Sequence, residues 1–302
     1  MNRRYVLISP CRNEEKYMRQ TLDSVLAQTV LPDKWVIVDD GSTDSTPQIL
    51  REYADKYSWI EILTKADRGR RAVGPGVIEA FYTGYSTIDP KEFGFLCKLD
   101  LDLKLPPKYF EILLNRMEEN PRIATCSGKS YVEQDGHLAD ENHGDETSLG
   151  MTKFYRVSCF EAIGGFVREV MWDGIDCHRC RMMGWVACSW DEPELRFTHL
   201  RPMGSSQTGI YTGRMRHGYG QYFMGTSFLY MAASALSRIN EKPYVVGSLA
   251  MMWGWLKSAL QGDPRYPDLE FREFLRKYQF HALWAGKRKA IGKIAAERFP
   301  SA

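Results

Sequence analysis

Trp35-Val36-Ile37-Val38-Asp39-Asp40-Gly41-Ser42-Thr43-Asp44 is an apolar run that stops on a carboxylate-rich turn. Four consecutive apolar residues without alternation fit a strand covered on both faces of a parallel sheet. The Asp-Gly-Ser-Thr-Asp that follows has turn chemistry, and Thr46-Pro47 supplies an N-cap and a first-turn proline for a helix reaching about Tyr57. Upstream, Tyr5-Val6-Leu7-Ile8 reads as a second strand of the same kind. Asn13 is placed to cap a helix whose apolar face is Met18, Leu22, Val25 and Leu26. Downstream, the spacing predicts a strand at Ile60-Leu63, a helix from Gly76 to Ser86, a strand at Phe95-Leu99, a helix after Pro106-Pro107 to about Asn120, and a strand at Ile123-Ser127. Strands alternating with helices in this way imply an α/β fold with a doubly wound, mainly parallel sheet. Such sheets bind ligands beyond the carboxyl ends of their strands.

Those ends carry the polar clusters. Pro10-Cys11-Arg12-Asn13-Glu14-Glu15 follows the first strand, Asp39 to Asp44 the second, Asp67-Arg68-Gly69-Arg70-Arg71 the third, and Asp100-Leu101-Asp102 the fourth. Carboxylates crowded at one sheet edge repel one another unless a cation sits among them. Oxygen ligands suit Mg2+ or Mn2+, and a divalent ion beside arginines suits a diphosphate.

Val38-Asp39-Asp40-Gly41-Ser42-Thr43-Asp44 together with Leu99-Asp100-Leu101-Asp102 resembles the inverting glycosyltransferases of family 2, which have the GT-A fold. The resemblance covers about residues 5–200. It implies a Rossmann-like, mainly parallel twisted sheet flanked by helices, binding a nucleotide-diphosphate sugar. It also implies that Pro10 and Glu14, with Asn13 beside them, line the nucleotide pocket and that Asp40 accepts a hydrogen bond from the base. Asp100 would approach ribose and metal, and Asp102 would ligate the metal. Asp67-Arg68-Gly69 and Ala72-Val73-Gly74 depart from the family's run after the third strand; Arg70 or Arg71 is the candidate for the diphosphate arginine, a solvated surface arginine being the plainer reading. Gly164-Gly165-Phe166, Trp172-Asp173, Arg179 and Gly184-Trp185 match the family's later segments in order, which aligns Asp173 with its catalytic aspartate. Trp172 stands where the family usually has Glu. Asp176 is a nearby competitor, as an acceptor contact or a helix cap. His199 matches the histidine that completes the metal site in many GT-A enzymes.

A carboxylate such as Asp173 makes chemical sense. An acceptor hydroxyl must lose its proton as it attacks the anomeric carbon, and a positioned base contributes roughly 10²–10⁴-fold. Helix capping is the plainer role for the same residue. Ser158-Cys159-Phe160-Glu161 reads as a capping box opening a helix that ends at Gly164-Gly165. Residues 196–218 hold four arginines and two histidines with no acid, as suits a basic lid over a diphosphate.

Residues 1–218 therefore read as one catalytic domain, with a nucleotide-sugar half to about 105 and an acceptor half beyond it. Residues 219–302 form a helical appendage. There Tyr222, Tyr230, Trp253 and Trp255 are types favoured at a bilayer interface. Leu283 to Arg298 has the look of a basic helix lying on an anionic leaflet, packing against protein or a dimer partner being the plainer reading. Asp268 to Phe280 reads as a helix with Phe271, Phe274, Leu275 and Tyr278 on its core face.

Composition bounds the rest. The chain has 302 residues, 44% hydrophobic and 26% charged, and 40 Lys+Arg against 38 Asp+Glu leave a net +2. That fits a globular protein with no bulk attraction to nucleic acid. No apolar run reaches the roughly 18–20 residues that cross a bilayer, and the opening Met1-Asn2-Arg3-Arg4, which leads straight into the first strand, reads as carrying no secretory signal. Seven scattered cysteines suit a reducing cytoplasm, either free in it or on the inner face of the plasma membrane. Cys177-His178-Arg179-Cys180 lacks a second pair at zinc spacing. The expected activity is sugar transfer to a saccharide or lipid-linked saccharide hydroxyl in bacterial cell-surface polysaccharide synthesis. An inert GT-A-like scaffold at a membrane surface and a nucleotidyltransferase are the rivals.

Overall fold

The computed structural model describes residues 2–69, 74–134, 136–201, 210–240 and 243–299. It divides into two compact units: the chain up to Arg168 with the stretch from Trp185 onward through the last strand and Arg201, and Glu169–Gly184 with the C-terminal helices.

The first unit holds eleven strands among the described residues. They are β1 (Tyr5–Cys11), β2 (Lys34–Asp39), β3 (Ile60–Thr64), β4 (Phe95–Leu99), β5 (Leu103–Lys104), β6 (Ile123–Ser127), β7 (Lys129–Gln134), β8 (His137–Asp140), β9 (Thr152–Arg156), β10 (Val186–Ser189) and β11 (Arg196–His199). Its helices are α1 (Met18–Leu26), α2 (Thr46–Ala54), α3 (Pro75–Tyr85), α4 (Tyr109–Glu119) and α5 (Val157–Ala162). Seven strands form one sheet in the order β10-β6-β9-β4-β1-β2-β3. β4, β1, β2 and β3 run parallel, as the apolar runs of β1 and β2 imply, with Cys11 opposite Asp39 at the end of the β1–β2 ladder. The core on one face joins Tyr5, Trp35, Phe95, Phe110 and Phe154 to Met18, Leu22 and Val25 of α1. Inside it Trp35 Nε1 donates to Ser9 Oγ at 2.8 Å.

The sheet is mixed because β9 runs antiparallel between β4 and β6. Thr-Lys-Phe-Tyr-Arg escapes a hydrophobicity search, since its second residue is a lysine that is wholly buried. A second sheet of four strands, β5-β11-β7-β8, sets β11 parallel to β7 and antiparallel to β5. Three expected caps are corrected. Thr46 is the first residue of α2, with Ser45 at the N-cap position and no side-chain cap. α1 begins at Met18, with Tyr17 at its N-cap; Asn13 instead takes a left-handed backbone (φ 54°) and accepts from Thr43 N–H at 2.8 Å. α5 begins at Val157, one residue ahead of Ser158, with no side-chain cap.

The second unit contains α6 (Trp172–Met182), α7 (Ile210–Met224), α8 (Phe228–Ser237), α9 (Tyr244–Gln261), α10 (Leu269–Ala285) and α11 (Lys287–Arg298). The expected boundary at 218 does not hold. α6 goes with the C-terminal helices because buried His178 sits edge-on among Phe271, Phe274 and Tyr278 of α10. Residues 210–218, expected in a flexible loop, are helix; residues 202–209 lie outside the described set. Gly218 and Gly254 let α7 and α9 touch, since a Cβ on Gly218 would lie 2.0 Å from Met251 O. Tyr222 and Trp255, read as interfacial, are buried edge to face at 5.7 Å. Trp253 is exposed. Asp268 caps α10 by accepting from Phe271 N–H at 2.9 Å, and Phe271, Phe274, Leu275 and Tyr278 form its buried face as expected. The basic helix is broken at Gly286 (φ 82°), and α11 turns Ala290 and Ile294 into protein, not outward. No disulfide joins the cysteines among the described residues, and Cys177 and Cys180 are buried. No helix among the described residues is long and apolar enough to cross a membrane.

Candidate active site

The parallel strands β4, β1 and β2 are neighbours, so Asp100, Glu14 and Asp40 follow three adjacent strand ends on one edge of the sheet. Short loops are tied there backbone to side chain. Asn13 N–H donates to Ser42 Oγ at 2.9 Å, Glu14 N–H to Thr46 Oγ1 at 2.8 Å, and Ser42 N–H to Asp39 Oδ1 at 2.9 Å. Gly41 is required where the second loop meets the third: at φ 73° its absent Cβ would lie 2.5 Å from Asp67 Cα. Pro10 is a buried residue within β1, opposite Val38. Arg70 and Arg71 lie outside the described residues.

Each carboxylate has a protein cation. Asp40 accepts from Arg68 Nη2 with both oxygens, each at 2.5 Å, and has Lys65 Nζ at 3.4 Å. Arg68 reaches Glu79 at 3.2 Å, and Arg12 bonds Asp67 at 2.5 Å and the Asp40 carbonyl. Asp100 accepts from Lys98 Nζ at 2.5 Å, and the same amine donates to Gly150 O at 3.0 Å. Burial pushes the Asp100 carboxyl up; Lys98 opposes this and Asp102 adds to it.

Asp102 lies in the most connected group. β11 pairs with β5 so that His199 stands opposite Leu103, and Leu200 N–H donates to Asp102 O at 2.8 Å. His199 Nε2 thereby comes 3.8 Å from Asp102 Oδ2. Its Nδ1 is 3.0 Å from Glu141 Oε2, and Glu141 follows β8. Arg201 donates to Asp102 Oδ2 through Nε at 3.0 Å and Nη2 at 2.8 Å, and to Glu14 Oε2 through Nη2 at 2.5 Å. Burial raises the Asp102 carboxyl, but His199 and Arg201 outweigh it and hold the group at about 2. Burial lowers His199, but Asp102 and Glu141 outweigh it and lift the imidazole to about 9.

Sequence reasoning missed the individual roles of Arg201, Glu141, Lys98 and Arg68. Arg201 stood two residues past a named histidine and carried that much signal. Glu141, in a polar stretch, carried none. Repulsion among the acids does not by itself require a metal, because Arg68, Lys98 and Arg201 already balance them. Among the described residues no three His, Cys, Asp or Glu side chains form a ready metal cage. The chemistry of Asp102 and His199 nonetheless fits a divalent ion: a carboxylate oxygen faces an imidazole nitrogen whose other nitrogen is oriented by a carboxylate. Asp100, held by Lys98, is less free to join them.

Asp173 belongs to the other unit. It lies in the first turn of α6, behind Met171, which holds the N-cap position with a left-handed backbone (φ 64°). The N-cap role therefore falls to Met171, not to Asp173. Asp173 is half-buried, whereas Asp176 is 1% exposed and accepts from Cys177 N–H, which withdraws it from solvent.

This fold is GT-A. Two solved structures share it: the mannosyltransferase PcManGT from Pyrobaculum calidifontis in complex with GDP-Man and Mn2+ (TM-score 0.51, 17% identity, 99% of this chain and 88% of that one), and S. aureus TarS 1-349 in complex with UDP-GlcNAc (TM-score 0.54, 15% identity, 98% and 91%). Residues 6–172 match the family described as Glycosyl transferase family 2, and the chain belongs to it. EpsH of Bacillus subtilis, named as a glycosyltransferase, is 27% identical over 161 residues, 53% of this chain and 43% of that protein, so the chain spans less than half the length of that relative.

Proposed function

We propose that this chain is an inverting glycosyltransferase that moves a sugar from a nucleotide-diphosphate sugar to a hydroxyl of a saccharide or lipid-linked saccharide acceptor, in the building of a bacterial cell-surface polysaccharide. The observation that carries the reading is the linked set Glu14, Arg201, Asp102, His199 and Glu141 at the strand ends of a family 2 fold. Asp40 would accept from the nucleobase, and Arg68 keeps its carboxylate aimed. Asp102 and His199 would hold Mn2+ or Mg2+, with Asp100 turned toward the ribose. Bound there, the ion supplies charge neutralisation for the departing diphosphate. Asp173 would take the acceptor's proton while attack opposite the leaving group inverts the anomeric carbon. A thermal-shift screen of UDP-, GDP- and dTDP-sugars with Mn2+ tests the donor class; a saturating donor at about 100 times Kd stabilises by about 2.7 kcal/mol. No shift with any nucleotide sugar would refute the reading.

A lipid-linked acceptor gains support from α9 rather than from the basic terminal helix. Val245, Leu249, Trp253 and Leu260 form an exposed stripe along α9, and Phe228 and Leu229 are exposed on α8. Neither helix carries an acid, and Lys257 is exposed beside the stripe. That composition suits an anionic bilayer surface. Co-sedimentation with anionic vesicles should be lost in Leu249→Glu/Trp253→Glu; undiminished binding would remove this face from the account.

A further inference from the structure

We propose that Arg201 is a stand-in cation: its guanidinium, which bridges Glu14 and Asp102, competes with a divalent ion for Asp102 and must release it for the ion to bind, which couples ion binding to diphosphate binding. The inference rests on the metal assignment made above. Its ground is one oxygen. Asp102 Oδ2 receives both Nε and Nη2 of Arg201, at 3.0 and 2.8 Å, and faces His199 Nε2 at 3.8 Å. A metal ligated by that oxygen needs the lone pairs the guanidinium now occupies, and two cations on one carboxylate oxygen repel. The same Nη2 also holds Glu14 Oε2 at 2.5 Å, so a single guanidinium spans two acids that follow different strands, β1 and β4.

The contact is enclosed. The side chains of Glu14, Asp102 and Arg201 are 5%, 12% and 14% exposed, and the guanidinium lies over the Tyr17 ring at 5.4 Å. Little water competes for these bonds, so the bridge opposes ion entry more than an exposed pair would. A guanidinium released from Asp102 is a bidentate donor free to engage a phosphate. A nucleoside diphosphate that engages it would leave Asp102 open to the ion, and by reciprocity the ion would favour the diphosphate.

The test titrates Mn2+ into the full chain and follows the free-ion signal by electron paramagnetic resonance, alone and with UDP or GDP. Wild type should bind Mn2+ weakly alone and more tightly with nucleotide. Arg201→Met should bind Mn2+ alone about tenfold more tightly than wild type, with the nucleotide-driven gain largely lost. Arg201→Lys, which keeps the charge but not the fork, should fall between them and serves where the methionine variant melts early. Equal or weaker Mn2+ binding by both variants overturns the stand-in role and leaves the metal assignment intact. Mn2+ binding that is unchanged in Asp102→Asn, or absent from wild type even with nucleotide, overturns the metal assignment and the stand-in role together.

Discussion

His199 Nε2 stands 3.8 Å from Asp102 Oδ2 because β11 lies antiparallel to β5 with His199 opposite Leu103. Residues almost a hundred apart are thus brought together by a two-residue strand, and the geometry is fixed by backbone pairing rather than by the side chains themselves. Glu141 then sets which ring nitrogen faces the carboxylate, through its 3.0 Å contact with Nδ1. Glu141→Gln should lower Mn2+ affinity about tenfold, as loss of an outer carboxylate on a ligating histidine does. Asp102→Ala should abolish Mn2+-dependent nucleotide binding. Calorimetry with Mn2+ and with EDTA checks both; donor affinity that ignores Asp102 and EDTA alike would refute the assignment.

Asp173→Asn should leave donor binding intact and cut transfer by about 10²–10⁴-fold. The residue is half-buried in the first turn of α6, where an amide replaces the carboxylate at no steric cost. Nucleotide-sugar titration and product formation, measured on the same preparation, separate the two effects. Full transfer by the variant would pass the base role to another group; lost donor binding would make Asp173 a binding residue.

The parallel strands were legible in the sequence because burial on both faces leaves continuous apolar runs at Tyr5-Ile8 and Trp35-Val38, and at Phe95-Leu99 a run broken only by Lys98. The polar strand ends were legible for the same reason, as interruptions of those runs. β9 was not, since Thr152 and Lys153 are buried within it and leave only Phe154 and Tyr155 as an apolar pair. The carboxylates of the site were read as types, but not their partners: Arg201 meets Glu14 across the whole length of the unit, and no local spacing encodes that. The C-terminal helices were read as helices with their exposed faces misassigned. Tyr222 and Trp255 are aromatic like Trp253, and only helix crossing at Gly218 and Gly254 decides which of them faces inward.

Gly41→Ala should destabilise the first unit and weaken nucleotide binding together. A side chain at φ 73° is strained, and its Cβ would be driven to within 2.5 Å of the backbone at Asp67. Strain of that kind costs on the order of 1–3 kcal/mol, which lowers the melting temperature by roughly 2–4 °C per kcal/mol in a unit of this size. Because Asp67 anchors Arg12 and neighbours Arg68, displacement of the loop should also disturb Asp40. A melting temperature equal to wild type would mean that the loops part without cost.

Two histidines, His178 buried and His217 half-buried, make the second unit sensitive to acid. Burial lowers His217 to about 4, with Arg238, Arg214 and Arg216 adding to the effect and Asp173 opposing it. Burial likewise pushes His178 well below its ordinary value, with Arg181 and Lys287 adding. Both are held neutral in the fold but take up a proton near pH 6.5 when the chain unfolds. Their contribution is therefore fully present above about pH 6.5 and drains away as the pH falls toward about 4, where His217 titrates in the fold, because the unfolded chain binds more protons across that interval. A tenfold difference in proton affinity between fold and unfolded chain corresponds to about 1.4 kcal/mol, so His217 alone, discounted for partial exposure, accounts for about 2 kcal/mol. Chemical denaturation at pH 7.5, 6, 5 and 4.5 should show a falling midpoint, and His217→Gln should flatten it, since glutamine does not titrate. Identical slopes in the variant and wild type would assign the acid sensitivity to His178 or to the carboxylates of the first unit instead.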